Sequence, residues 1–270
     1  MYTRRDLAMM ALAIRSQPSG VKIGAASFSF RDRPLDDAIQ GMAAAGLGYC
    51  TLWSGHVEPR NASREELRRW RTSVPIEEFR TIRGKFRKAG IRIFSYYYNF
   101  RDDFTDAEIT RGFEMAEALG ATCLAASANV TTAARLNPYA AKANIPVAMH
   151  NHAVIKDNEF ARPEDFDRAL HGMSHIRINL DIGHFTALGY DPVEFIRQRH
   201  RDILLLDVKD RNRAGVSLPF GEGDAHVGEV LRLMKQNRYS FPAMIEYDYK
   251  GADTLTEVKR CYEFCRSALT

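Results

Sequence analysis

Eight short apolar runs, each followed by a segment with helical periodicity, constrain the fold of this 270-residue chain most strongly. Strands that alternate with helices favour a parallel sheet, because each helix returns the chain to the start of the next strand. Eight such units within about 250 residues predict one closed (β/α)8 barrel, an α/β fold. The runs predicted as strands are Lys22–Phe28, Tyr49–Trp53, Ile91–Tyr97, Thr122–Ala126, Pro146–His150, Arg177–Asp181, Ile203–Val208 and Ala243–Glu246.

An open, doubly wound sheet is the alternative to the barrel. No GxGxxG sequence follows the first predicted strand, which weakens the case for a dinucleotide-binding sheet. The fourth unit, around Val130–Asn144, is short and rich in alanine, so its helix is the weakest prediction of the pattern. We expect the barrel to occupy residues 21–270 as a single catalytic domain.

Composition excludes few functions, but it narrows the set of partners. The net charge is +4 and 45% of the residues are hydrophobic, as in ordinary globular proteins. No apolar run approaches the roughly 20 residues that a membrane span requires. Residues 60–88 contain ten Lys or Arg against four Glu. Because the acids are interleaved and no aromatic platform accompanies the arginines, we interpret this stretch as a solvated helical face, not a nucleic-acid surface.

The first 20 residues are set apart from the barrel because they resemble an export signal. Thr3-Arg4-Arg5 precedes an apolar segment from Leu7 to Ile14, as in twin-arginine signals. The segment is short and Arg15 closes it, so a surface helix is the alternative. The sequence therefore leaves both a cytoplasmic and an exported location open. Four scattered cysteines without a CxxC pair demand no disulfides.

Ionisable residues stand at the ends of four consecutive predicted strands, where a (β/α)8 barrel carries its active site. Successive strand residues point to opposite faces, so Leu205, Asp207 and Lys209 share one face. The same alternation places His150 and His152 on one face of their strand. It places Asp181 and Glu246 on the face opposite to that of their apolar neighbours. We therefore expect these polar side chains to meet at one end of the barrel axis.

Three carboxylates at one end of a barrel would repel each other unless a cation lay between them. Together with one imidazole they suit Mn²⁺, Mg²⁺, Zn²⁺ or Co²⁺, and the oxygen-rich set favours Mn²⁺ or Mg²⁺. The alternative is a set of ion pairs with Lys209, Arg177 and Arg211 at a solvated rim. The predicted metal ligands are His150, Asp181, Asp207 and Glu246.

Several segments, read together, resemble the xylose-isomerase-like TIM-barrel superfamily of sugar phosphate isomerases and epimerases. They are "MHNHAV", "INLDIGHFTALGYDP", "LLLDVKDR", "PFGEGDAHVGEVLRLMKQNRY" and "AMIEYDYKG". The early "LWSGHVEPR" resembles a bacterial subgroup that often has a twin-arginine N-terminus. The resemblance implies one divalent metal, commonly Mn²⁺, held at the ends of strands 5 to 8. His150 stands where most members have Glu, and Asp207 where most have His.

The resemblance implies proton abstraction next to a carbonyl of a small sugar, through a metal-stabilised enediolate. Glu246 is the expected base, and His152 and His184 are the further catalytic candidates. Lys209 is expected to bind substrate oxygens, as is His184. Trp53, His56 and Tyr97 would form a sugar-binding wall, and packing within the barrel is the alternative for these aromatic residues.

The two ligand positions that depart from the family keep other functions open. A lyase that catalyses β-elimination on keto-sugars or keto-glycosides would use the same metal and base. A sugar-binding protein without catalysis is the second alternative. A multi-metal endonuclease would need further His and Glu ligands that the sequence does not offer. The oligomeric state, including a homo-oligomer, stays open.

Overall fold

A closed barrel of eight parallel strands forms the centre of the protein, in a computed structural model that describes residues 20–270. A short antiparallel hairpin of two further strands follows the seventh barrel strand. The predicted fold class is therefore confirmed. The barrel strands are β1 Ile23–Ala26, β2 Tyr49–Trp53, β3 Arg92–Tyr97, β4 Cys123–Ala126, β5 Val147–His150, β6 Ile176–Asp181, β7 Ile203–Val208 and β10 Ala243–Ile245, and the hairpin strands are β8 Asp210–Arg211 and β9 Ser217–Leu218.

Helices follow the barrel strands and pack around them. Several begin at side-chain caps: Ser63 and Thr105 each form a capping box with a glutamate three residues later. The helix in the fourth unit, the weakest prediction, is present and ends at Asn144 in a left-handed conformation. The α-helices are α1 Leu35–Ala45, α2 Arg64–Ser73, α3 Ile76–Lys88, α4 Asp106–Leu119, α5 Thr132–Ala143, α6 Pro163–Leu170, α7 Ile182–Ala187, α8 Pro192–Arg199, α9 Val227–Asn237 and α10 Thr254–Ala268.

The strand alternation predicted from the sequence appears in the barrel interior. Ala148, Leu205 and Met244 belong to a small buried cluster of strand residues, separate from the large core between strands and helices. Two positions further along β5 and β7 stand His150 and Asp207, and Glu246 occupies the same position just past the end of β10. Because strand residues repeat every second position, these polar groups emerge at the carboxyl end of the barrel.

Neighbouring strands bring the polar positions level with one another. Asp181 pairs in register with Asp207 between β6 and β7, and Asp207 with Met244 of β10. The predicted export segment lies in residues 1–19, outside the described part of the chain, so that prediction stays a prediction. Within residues 20–270, no helix has both the length and the apolar character needed to cross a membrane.

Candidate active site

A cavity of about 340 Å³ opens at the carboxyl end of the barrel. Its volume lies at the lower end of the roughly 300–1,000 Å³ that small-molecule sites occupy. Seven residues predicted for the site line it: Trp53, Tyr97, His150, His152, His184, Lys209 and Glu246. Arg211, which the sequence suggested as an ion-pair partner, also lines it. The other lining residues were given no role from the sequence: Ala26, Phe28, Thr51, Asn99, Ser127 and Asp248.

The ammonium group of Lys209 lies among three carboxylates on the wall of this cavity. Its Nζ is 2.5 Å from Glu246 Oε1, 3.0 Å from Asp181 Oδ2 and 3.7 Å from Asp248 Oδ2. Arg211 completes the group, with Nη2 2.6 Å from Asp248 Oδ2. Burial would lower the pKa of Lys209, but the surrounding carboxylates raise it above its ordinary value. Lys209 therefore supplies a fixed positive charge.

The two carboxylates closest to Lys209 have pKa values shifted in opposite directions. Burial raises the pKa of Glu246, reinforced by Asp207 and Asp181 and opposed by Lys209. Burial would also raise the pKa of Asp181, but His184 and Lys209 hold it well below its ordinary value. Carboxylates whose pKa values are pushed apart typically divide acid–base and electrostatic roles. Glu246 is the better proton acceptor of the two.

His150 is fixed by a carboxylate and an amide behind it. Its Nδ1 lies 3.1 Å from Asp207 Oδ2, and Asn179 Nδ2 donates to the same oxygen at 2.8 Å. The other ring nitrogen, Nε2, faces Asp181 Oδ2 at 4.0 Å. Burial would lower the pKa of His150, but the contact with Asp207 raises it. Asp207 thus touches His150 and Asn179, while its Oδ1 has no hydrogen-bond partner within residues 20–270.

Three imidazole rings meet at one side of the cavity. The ring centroids of His150 and His152 are 5.0 Å apart. The ring centroid of His184 lies 5.7 Å from that of His150 and 5.8 Å from that of His152. Burial lowers the pKa of His152 to about 4 and that of His184 to about 2. Near neutral pH these two rings are therefore uncharged, with a nitrogen lone pair on each.

The sequence Asp181-Ile182-Gly183-His184 builds the junction between β6 and α7. The Asp181 side chain caps the helix, because its Oδ1 accepts the backbone N–H of His184 at 2.8 Å. A Cβ at Gly183 would lie 2.4 Å from Lys209 Cγ and 2.8 Å from the Lys209 carbonyl oxygen. Glycine is needed here because the backbone of Lys209, just past the end of β7, passes this close.

An aromatic wall faces the charged groups across the cavity. Trp53 packs edge-on against Phe28 with ring centroids 5.2 Å apart. The Tyr97 ring contacts His150 at 5.7 Å between centroids, and its hydroxyl lies 2.6 Å from Ser127 Oγ. Aromatic faces beside hydrogen-bonding groups suit a ligand with one apolar and one polar surface.

His56 is the one predicted substrate-binding residue that does not line the cavity. Its Nε2 contacts the carbonyl oxygens of Phe30 and Arg33 at 3.2 Å, so this nitrogen carries the proton. Its Nδ1 then accepts a hydrogen bond from Ser27 Oγ at 3.0 Å. Because both ring nitrogens are engaged, His56 links the loops after β1 and β2, a structural role that the sequence did not reveal.

Asn179 and Asp248 are polar contributors to the site that received no role from the sequence. Asn179 precedes Asp181 by two positions and Asp248 follows Glu246 by two, so both share the inward face of their neighbours. Asn151 ties β5 to β6, because its amide bonds the backbone of Asp181 in both directions. The period-2 pattern could have identified the first two.

The divalent metal implied by the resemblance fits one side of this cavity. In the described residues, one group of three side chains is able to hold an ion together: His150, His152 and His184, whose ligand atoms all lie within 4.8 Å of one another. The predicted carboxylate ligands are engaged elsewhere, Glu246 and Asp181 with Lys209 and Asp207 with His150. The metal and its predicted ligand set stay predictions.

Solved structures with the same barrel include enzymes of sugar metabolism. The 3-keto-D-glucoside 4-epimerase of E. coli superimposes with a TM-score of 0.71 at 12% identity, over 92% of this chain and 99% of that one. A sugar phosphate isomerase/epimerase from Parabacteroides distasonis gives 0.66 at 17% identity, over 93% and 96%. The probable 3-DHS dehydratase of Bacillus anthracis gives 0.69 at 14%, over 90% and 98%. At these identities the likeness shows the fold.

No curated protein matches the chain. The match to a family model is more specific than the structural likeness, because it depends on the sequence. It covers residues 71–267, which include the ends of β5, β6, β7 and β10 and every residue of the charged and imidazole groups described above. The chain belongs to the xylose isomerase-like TIM-barrel family.

Proposed function

We propose that this protein is a sugar isomerase or epimerase that removes a proton from the carbon next to a carbonyl. The observation that carries the proposal is the pair of Glu246 and Lys209 in a cavity of small-sugar size. A carboxylate held beside a reacting carbon acts as a general base. The neighbouring ammonium group stabilises the negative charge that develops on the carbonyl oxygen.

The other side chains of the cavity have roles that suit a polyhydroxylated substrate. Trp53 offers an apolar ring to one face of a sugar, while the Tyr97 hydroxyl and Ser127 offer hydrogen bonds. His152 and His184 lie where they can bind substrate oxygens or return a proton. Isomerisation and epimerisation share the first step and differ in where the proton is returned.

A divalent cation, Mn²⁺ by the family resemblance, belongs to the same proposal. It supplies Lewis-acid polarisation of a carbonyl oxygen when bound. His150 is the residue of the predicted ligand set that also belongs to the converging imidazole group. The remaining residues act without it: Glu246 accepts the proton, Lys209 balances charge, and the aromatic wall orients the sugar.

The names of the structural neighbours support this chemistry. In a 3-keto-glucoside, carbon 4 lies next to the carbonyl, so a 4-epimerase changes the configuration at the carbon adjacent to it. A dehydratase acting next to a carbonyl would begin with the same proton removal, which keeps the lyase alternative on the same residues.

Hydrogen exchange in D₂O tests the proposal. The protein is incubated with a panel of ketoses, ketose phosphates and keto-glycosides, and C–H loss and products are followed by NMR. We expect exchange with at least one substrate, and a loss of about 100-fold or more in Glu246→Gln. The control Glu263→Gln, on the exposed face of α10, should exchange at the wild-type rate.

The products separate the alternatives. An isomeric sugar supports the proposed function, whereas loss of water or of the glycosidic group shows a lyase. Absence of exchange across the whole panel contradicts proton chemistry and leaves a sugar-binding protein.

A further inference from the structure

The carboxylates of the cavity are already neutralised in part, and this limits which groups can bind a metal. Glu246, Asp181 and Asp248 surround the ammonium of Lys209 within 3.7 Å. A divalent ion bound by Glu246 and Asp181 would have to displace that ammonium group. Lys209 also reaches the imidazole side, because its Nζ lies 3.4 Å from His184 Nε2. The other nitrogen of that ring, Nδ1, has no hydrogen-bond partner among the described residues.

His150 has the orientation typical of a metal-binding histidine. Its Nδ1 is held by the Asp207 carboxylate, its Nε2 faces Asp181 Oδ2 at 4.0 Å, and its ring centroid lies 5.0 Å from that of His152 and 5.7 Å from that of His184. Histidines that bind metals commonly donate their other ring nitrogen to a carboxylate, which fixes the tautomer and makes the free nitrogen more basic. Asp207 therefore orients the His150 ring through its contact with Nδ1.

The other two rings also have nitrogens available. The side chain of His152 makes no hydrogen bond to the described residues. Its backbone N–H donates to the carbonyl oxygen of Phe160. His184 Nδ1 is buried without a hydrogen-bond partner. The three sets of ligand atoms lie within 4.8 Å of one another. In a tetrahedral site with Zn–N bonds of about 2.0–2.1 Å the nitrogens lie about 3.4 Å apart, so the rings must approach each other by up to about 1.4 Å to close the site.

The charge of the ion-pair network also favours a divalent cation. The network joins four carboxylates, Asp181, Asp207, Glu246 and Asp248, to two permanent cations, Lys209 and Arg211. With the carboxylates ionised and the imidazoles neutral, as metal ligands must be, it retains two negative charges in a largely buried place. A divalent ion beside Asp181 would balance them, because opposite charges attract strongly where water is excluded.

We propose that His150, His152 and His184 form a three-histidine site for Zn²⁺ or Co²⁺, and that Asp207 is a positioning residue for His150. Three imidazoles with an open fourth position are a ligand set that zinc enzymes use, and imidazole suits Zn²⁺ better than Mn²⁺ or Mg²⁺. The site deepens the proposed function and rests on it, because it places the cofactor in the same cavity.

Metal binding without substrate tests the site. Chelator-treated protein is titrated with Zn²⁺ by calorimetry and with Co²⁺ by visible absorption, which reports coordination geometry. We expect one equivalent of each metal and tetrahedral Co²⁺ bands. His152→Ala and His184→Ala should each weaken Co²⁺ binding more than tenfold and change the bands. The control His171→Ala, exposed after α6, should bind as wild type.

Two further variants, Asp207→Asn and Glu246→Gln, distinguish a residue that positions His150 from a residue that binds the metal directly. Asp207→Asn should weaken binding by about 10–100-fold while the saturated spectrum keeps its wild-type form. Glu246→Gln removes one negative charge of the network but no ligand of the proposed site, so it should weaken binding less than tenfold. Circular dichroism establishes that each variant is folded.

The proposal is overturned if wild type takes up no stoichiometric Zn²⁺ or Co²⁺. It is also overturned if Glu246→Gln weakens binding more than tenfold while His152→Ala and His184→Ala do not, which would favour the carboxylate set. Because no turnover is measured, either result leaves the exchange test of the proposed function intact.

Discussion

Two charge clusters of opposite design lie in different parts of the molecule. In the Lys209 cluster one ammonium group sits among carboxylates at the mouth of the barrel. In the Glu108 cluster one carboxylate sits among guanidinium groups where α2 packs against α4. The Lys209 cluster comprises Asp181, Lys209, Arg211, Glu246 and Asp248, and the Glu108 cluster comprises Glu58, Arg64, Arg68, Arg71 and Glu108.

The clusters differ in how completely their polar atoms are paired. Arg64 contacts both Glu108 oxygens, at 2.6 and 3.1 Å, and the Thr105 backbone N–H donates to Oε2 at 3.0 Å. Around Lys209, by contrast, His184 Nδ1 and Arg211 Nε are buried without hydrogen-bond partners among the described residues. Buried polar atoms are normally paired, and exceptions point to functional sites. We propose that the Glu108 cluster stabilises the fold and that the Lys209 cluster belongs to the catalytic site.

Glu108→Gln should produce the largest loss of stability. Removing a fully buried carboxylate leaves the guanidinium groups without their shared partner, which costs about 3 kcal/mol in the free energy of unfolding. Urea denaturation measures it. Glu65→Gln, an exposed member of an ion pair on α2, is the matched control and should cost less than about 1 kcal/mol. Equal losses in the two variants would show that the Glu108 cluster is not special.

Lowering the pH should reduce the stability of wild type more than that of Glu108→Gln, which lacks the Glu108 carboxylate. Burial would raise the pKa of Glu108, but Arg64 and the Thr105 backbone lower it from 4.5 to about 2. Because the folded pKa lies below the unfolded one, the contribution is complete above about pH 4.5 and is lost as the pH falls towards about 2. Between about pH 6 and about pH 3, Glu108→Gln should therefore lose less stability than wild type. Equal losses of stability in wild type and Glu108→Gln over this pH range would contradict the lowered pKa of Glu108 and its pairing with Arg64.

Gly183→Ala should disturb the Lys209 cluster by steric contact alone. The new Cβ would collide with the stem of Lys209, which we expect to cost about 1–3 kcal/mol and to slow hydrogen exchange by moving the ammonium group. Gly84→Ala on α3 is the control, because no atom lies within 4 Å of its added Cβ. Wild-type exchange in Gly183→Ala would show that the exact place of Lys209 is unimportant.

The sequence predicted the barrel well because its signals are periodic. Tyr49–Trp53 and Ile203–Val208 begin and end as predicted, and the other strands differ by one or two residues at their ends. The same alternation placed Asp207 and Lys209 on one inward face. Such patterns follow from backbone geometry, which every strand shares.

Side-chain pairing could not be predicted in the same way. The sequence offered ion pairs with Lys209 and Arg211 as an alternative to a metal, and both residues do pair with carboxylates. It could not show which carboxylate each cation contacts, or that Asp207 contacts His150, since both depend on distances between strands. The basic stretch of residues 60–88 was interpreted as a solvated face, but the Arg71 side chain is only 7% exposed and pairs with Glu58. The partner lies on another element, where sequence spacing carries no information.

The most direct test of the different roles of the two clusters is the rate of C–H exchange in D₂O. It is compared between Glu246→Gln and Glu108→Gln at equal concentrations of folded protein. We expect Glu246→Gln to lose about 100-fold or more and Glu108→Gln to stay within about twofold of wild type. Wild-type exchange in Glu246→Gln would contradict the assignment of the Lys209 cluster as the catalytic site.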